Sequence, residues 1–300
     1  MAERDPHPAR AVDPTLARLA WRTAEPIHGM IYFAPEAHER YAALGLRERM
    51  GYFASRAAAF GPVGPDTIVA TFFNFNPALV RAAIPAAWRI ASPHNILQAR
   101  LEAADAALRR ACGPDLLASP DMAEAARLAR RAAEAASEHP QGRPLFAATS
   151  ALPWPDAPHL VLWHAQTLLR EYRGDGHVAA LLLTGCSGIE ALVLHAATGK
   201  VPAEILRRTR GWSVAEWNTA VDHLRSRGLL EAGDEPRLTE TGLAQRQWVE
   251  EKTDLLAVPA YAVLGTAACT RLVELAGPIS RAVAAADLLN PSRILQIDAA

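Results

Sequence analysis

The chain of 300 residues is half hydrophobic, 21% charged and carries a formal net charge of −1. That length suits two domains of ordinary size, and the near-neutral balance argues against a strongly nucleic-acid-binding or membrane-surface protein. Of the 31 basic residues all but Lys200 and Lys252 are arginine, which matches the codon bias of a GC-rich genome, so single arginines carry little functional weight.

Along the chain no strand-like alternation persists, whereas apolar residues recur at i, i+3, i+4 and i+7 in "LARLAWRTAEPIHGMIYF", "AALGLRERMGYFASRAAAF", "NILQARLEAADAALRRAC", "DMAEAARLARRAAEAASE" and "APHLVLWHAQTLLREYRG". These read as helices, and the fold class is all-α. Loops fall at 60–66, 92–95, 112–121, 138–144 and 152–159. Ser119 before Pro120 and Asn76 before Pro77 pair an N-cap with a proline at the first helical position. Cys112, Cys186 and Cys269 are odd in number and far apart, which points to a reducing cytosol rather than a disulfide framework. The N-terminus lacks an apolar signal-type run, and the most apolar stretch, 170–199, is interrupted by Glu190 and His195; the expected location is cytoplasmic, with no membrane span.

From residue 186 the pattern changes. "CSGIEALVLHAATG", "VPAEILRRTRG" and "SVAEWNTAVDHLRSRGLL" read as three helices, the last starting at Ser213; "EAGDEPRLTETG" reads as a two-stranded wing and 243–260 as a long closing helix. The expected domains are 1–185, a multi-helical region, packed on 186–300, a winged helix-turn-helix with long C-terminal helices. The order, with "ILRRTRGWSVAEWNTAVDHLRSRGLL" and "RLTETG", resembles the MarR family of regulators. Over nearly the whole chain, "PIHGMIYFAPEA", "GYFASRAAAFGPVG", "PLFAATSALPWPDAPHLVLWHAQTLLREYRGDGHVAAL" and "EALVLHAATG" resemble an actinobacterial family labelled helix-turn-helix. That resemblance implies membership and no particular activity.

A recognition helix presents its first turns to base edges, and Lys, Arg and amides hold phosphates. Here Glu216 and Asp222 place negative charge in that region, Trp217 is a packing residue, and the wing has three acids against Arg237. Arg207, Arg208 and Arg210 around the turn, with Asn218 and Thr219, favour contact with DNA; the acids disfavour it.

Buried carboxylates and imidazoles must be paired or coordinate something. His164 and Glu171 share a helix face two turns apart, roughly 10 Å by helix rise. His177 is expected to begin a helix after "RGDG", and Glu190 and His195 lie in the helix after "TGCSG". The set is expected to converge where the two regions meet, with His164, His177, Glu190 and His195 as metal ligands and His177, Glu171 and Arg56 as catalytic or anion-contacting groups. His28, Tyr32 and Asn74 are expected to line a cofactor or ligand pocket. Imidazole and carboxylate suit a divalent metal, and a histidine suits haem. Each residue also has a plain structural alternative: Glu171 paired with Arg170 or Arg173, Glu190 with an arginine, and each histidine bonded to a carbonyl.

No glycine-rich phosphate loop, GxSxG elbow or HExxH occurs. The reading is a small-molecule-binding protein, leaning to an enzyme of specialised metabolism with a His/Glu-lined pocket and unknown reaction class. The alternative is a MarR-like ligand-responsive transcriptional regulator. The long closing helices at 243–260 and 267–286 suggest a homodimer.

Overall fold

The computed structural model describes residues 12–47 and 49–289. Helices α1 (Pro14–Gly29), α2 (Pro35–Ala43), α3 (Arg49–Ala57), α4 (Pro65–Thr71), α5 (Pro77–Ala83) and α6 (Ala86–Ile90) open the chain. Prolines start four of these six, where the missing N–H costs no hydrogen bond. Asn76 caps α5 by accepting from the Ala78 amide at 2.9 Å. Then come α7 (Pro93–Leu117), bent at Gly113 (φ +68°), and α8 (Pro120–Ser137), which Ser119 caps through the Met122 amide at 3.1 Å. α9 (Pro144–Ser150) and α10 (Pro158–Leu183) follow.

The last five helices are α11 (Gly188–Ala196), α12 (Ala203–Thr209), α13 (Val214–Ser226), α14 (Glu240–Ala262) and α15 (Gly265–Ala285). The all-α expectation holds. The expected two-stranded wing is reduced to one antiparallel bridge, Leu230 to Leu238, flanked by a hydrogen bond from the Glu231 amide to the Arg237 carbonyl at 2.9 Å. "RGDG" is no break either: α10 runs through it, since glycine weakens a helix without ending it when the flanking turns are buried. Among the described residues, no single helix is long and apolar enough to cross a membrane.

The chain divides into two compact units, each built from separated segments. The first comprises 12–34, 101–173 and 254–289. Its packing is close because its contact faces are alanine-rich: Ala125, Ala129, Ala132 and Ala136 on α8 and Ala17, Ala20 and Ala24 on α1 are buried, and both helices pack on α15. Arg271 of α15 reaches Glu124 at 2.9 Å and Asp121 at 3.3 Å on α8, and the Ser280 hydroxyl donates to the Thr23 carbonyl at 2.6 Å.

The second comprises 35–100 and 174–253. Its core joins Leu192, Val193, Leu206, Trp217, Val221 and Leu224 of α11, α12 and α13 to Leu229, Leu230 and Val249. α13 starts in a capping box: Ser213 accepts from the Glu216 amide at 3.2 Å and the Glu216 carboxylate accepts from the Ser213 amide at 2.9 Å. Replacing Ser213 by alanine is expected to cost about 1 kcal/mol, measured by urea denaturation of the full chain.

Candidate functional site

α12 and α13 are joined by Arg210–Ser213, a turn that Gly211 permits by adopting φ +75°, a left-handed conformation that side chains resist. The segment 73–76 braces this turn. The Trp212 indole donates to the Asn74 carbonyl at 2.9 Å, the Asn76 amide donates to the Arg210 carbonyl at 2.9 Å, and the Asn76 side chain donates to Glu216 at 3.2 Å. Arg49 donates to the Thr209 and Arg208 carbonyls at 3.0 and 3.1 Å, closing the C-terminus of α12.

The outer face of α13 is mixed in charge. Trp217 is buried, while Glu216, Asn218, Thr219 and Asp222 are exposed. Glu216 carries out the capping task just described, so its place in the first turn has a structural cause. The nearby cations are engaged too. Arg207 donates to the Trp212 carbonyl at 3.2 Å, Arg208 pairs with Glu204 at 3.4 Å, and Arg225 pairs with Asp222 at 3.2 Å and donates to the Gly233 carbonyl below the wing.

The same unit encloses a cavity of about 320 Å³. Its polar lining includes Asn74, His177, His195, Arg210, Arg246 and Glu250; its apolar walls include Phe73, Leu181, Leu192, Leu194, Leu206 and Val249. The residues come from α10, α11, α12 and α14, from the 73–76 brace, and from the turn itself through Arg210. Three residues picked from the sequence, Asn74, His177 and His195, therefore line one space.

The proton on Nδ1 of His177 follows from its partner. The Thr253 hydroxyl donates its proton to the Val249 carbonyl at 2.7 Å, so its oxygen accepts from His177 Nδ1–H at 2.9 Å. For His195, burial first and then Arg246, Lys200 and Arg210 hold the imidazole below the ordinary histidine range, against the opposing pull of Glu250. Arg246 and Glu250 stand 3.7 Å apart, one turn apart on α14. The sulfur of Cys186, also in the lining, accepts from Gln245 Nε2 at 3.2 Å.

Glu190, expected as a ligand, is not part of that lining. It forms a second capping box on α11: its carboxylate accepts from the Ser187 amide at 2.7 Å and its amide donates to Ser187 Oγ at 3.4 Å. Its other oxygen meets His223 Nδ1 of α13 at 2.5 Å and lies 3.6 Å from Arg227. Burial works against its ionisation, yet the hydrogen bonds from Ser187 and His223 outweigh it and keep the carboxyl below its ordinary range. His223 was not anticipated, although S-x-x-E at Ser187 was a readable sign that Glu190 is a cap.

The remaining expected residues lie elsewhere. In the first unit Glu171 receives Arg170 Nη1 on both oxygens at 2.9 Å, and His164 meets the Trp154 ring edge-on at 4.8 Å. His28 is buried, donating from Nδ1 to Thr167, whose own proton goes to the Trp163 carbonyl; Tyr32 then donates to Nε2 at 2.8 Å. In the second unit Arg56 donates to the Tyr52 hydroxyl at 2.9 Å and lies 4.3 Å over the Phe72 ring, outside the cavity lining. Among the described residues, no three His, Cys, Asp or Glu side chains gather as a metal ion would need. The expected ligand set His164, His177, Glu190 and His195 is thus corrected: Glu190 serves as cap and partner of His223, and only His177 and His195 share a space.

Two helices joined by a glycine turn, with a third before them and a bridge after, define a helix-turn-helix protein. The chain belongs to a helix-turn-helix family, whose profile matches residues 17–290. Comparison with curated proteins and with solved structures gave no match.

Proposed function

We propose that this is a small-molecule-binding helix-turn-helix protein, and that the occupant of the cavity sets the geometry of α12, the turn and α13. One observation carries the reading: the helix-turn-helix contributes to the cavity's wall, through Leu206 of α12 and Arg210 of the turn. At about 320 Å³ it is at the low end of the ~300–1,000 Å³ typical of small-molecule sites, and its mix of apolar walls and few polar groups is the usual one. The enzyme reading draws less support, because Glu171 and Glu190 are held by Arg170 and by Ser187 and His223.

A screen of fragments by thermal shift on the full chain tests the proposal. Stabilising fragments are expected, and their effect is expected to vanish in Ala191→Trp, which fills the lining; no hits, or hits indifferent to the substitution, would overturn it.

A second reading is specific DNA binding governed by that ligand, and it is favoured by the exposure of Asn218 and Thr219 at the start of α13 and by family membership. Selection from random duplexes at low salt separates the two. An enriched sequence lost in Asn218→Ala establishes DNA recognition, and no enrichment leaves the ligand as the sole partner.

A further inference from the structure

Resting on that reading, we infer that the cavity takes a small monocarboxylic acid: the carboxylate lies between Arg210 and Arg246 and the apolar body lies against Leu181, Leu192, Leu206 and Val249. Three observations converge on it.

The first is charge. Two arginines face one glutamate in the lining, and burial together with the same arginines disfavours a charge on His195 beside them. Among the arginines and the glutamate the balance is positive, which favours an anion over a cation. The second is geometry. The 3.7 Å between Arg246 and Glu250 is longer than a hydrogen bond, so an incoming carboxylate competes with a loose ion pair rather than a tight one. Planar guanidinium donors match a carboxylate in bidentate fashion, which a neutral hydroxyl cannot reproduce.

The third is the neighbouring space. Arg246 and Glu250 also line a second, larger cavity, with Lys200 and Arg237 added on that side against Glu231. The arginine therefore stands where two cavities share a wall, and the excess of cations is on both sides of it. An anion entering through the larger space meets attraction along the way, and the apolar walls of the inner cavity let its apolar end leave water.

Octanoate and octan-1-ol, which share a chain and differ in charge, are titrated calorimetrically into the full-length protein at neutral pH. Octanoate is expected to bind at least ten-fold more tightly than the alcohol. Arg246→Gln is expected to weaken octanoate at least ten-fold and to leave octan-1-ol unchanged; Arg246→Lys, keeping charge without the fork, should fall between. Circular dichroism melts confirm that the variants fold. Equal binding of acid and alcohol, or indifference to both Arg246 substitutions, overturns the carboxylate inference while the cavity reading stands. Binding of neither, or binding of octanoate that persists in Ala191→Trp, overturns both.

Discussion

Replacing Gly188 by alanine is expected to cost about 3 kcal/mol or more, at the upper end of what overpacking does to a core. A Cβ built at this position lies 1.9 Å from the Phe73 carbonyl oxygen, 2.8 Å from its carbon and 2.9 Å from Asn74 Cα. All three are backbone atoms, so no rotamer change relieves the clash. The 73–76 segment cannot step aside cheaply, because the same residues accept from Trp212 and donate to Arg210 and Glu216. The substitution pries the brace from α11, the helix before the motif, and the loss propagates to the turn that the brace holds. Gly64→Ala is the control: its Cβ meets nothing within 4 Å and its φ of −68° suits any residue, so its effect is expected to stay within the about 1 kcal/mol that alanine costs at the N-cap of α4. Thermal melts of the two variants decide the matter. If Gly188→Ala melts with Gly64→Ala, the close approach of 73–76 to α11 is not what the sequence at 188 serves.

How much of this was legible in the sequence depends on the range of the interaction. Caps are local, and Asn76, Ser119 and Ser213 were readable because a cap needs only a short polar residue before a helix and an amide two or three residues on. The helical class was readable because periodicity is local as well. The bridge between Leu230 and Leu238 fell short of a wing because "EAGDEP" carries turn formers and like charges, leaving few residues to pair. Glu190 was misread for a different reason. Its class, a carboxylate in an apolar run, suits a ligand, a cap and an ion pair alike; the cap was written locally in Ser187 three residues before it, whereas its ion-pair partner, His223, lies 33 residues on. Asn74, His177 and His195 were found as polar residues amid apolar ones, but that they share a cavity, while His164 and Glu171 serve another unit, depends on how separated segments fold together. Gly188 gave no signal at all, since a glycine selected by a backbone 115 residues away looks like any glycine in a loop.

Removing the Glu190 carboxylate should show both a stability loss and a changed acid profile. Glu190→Ala deletes one half of a capping box, worth about 1 kcal/mol, together with charge-assisted bonds worth ~1.5–3 kcal/mol, for an expected total near 2–4 kcal/mol at neutral pH. Glu190→Gln keeps an oxygen that can accept from the Ser187 amide and loses the charge facing His223 and Arg227, so its loss is expected to be about half as large. The pH dependence carries the sharper test. Because the folded carboxyl titrates below its ordinary 4.5, the stabilisation it supplies is fully present above that value and is lost as pH falls through the lower, folded value. The stability difference between the wild-type chain and Glu190→Gln should therefore be fully present at neutral pH, begin to shrink as the pH falls below about 4.5, and approach zero only below the lower, folded value, where wild-type Glu190 is uncharged in the folded chain too. Glu216, held low by its own capping box, contributes to the acid limb of both proteins equally and cancels in the comparison. Denaturant midpoints measured from pH 3 to 7 check this. Parallel curves for the two proteins would mean that the carboxylate holds α11 to α13 by shape alone, without its charge.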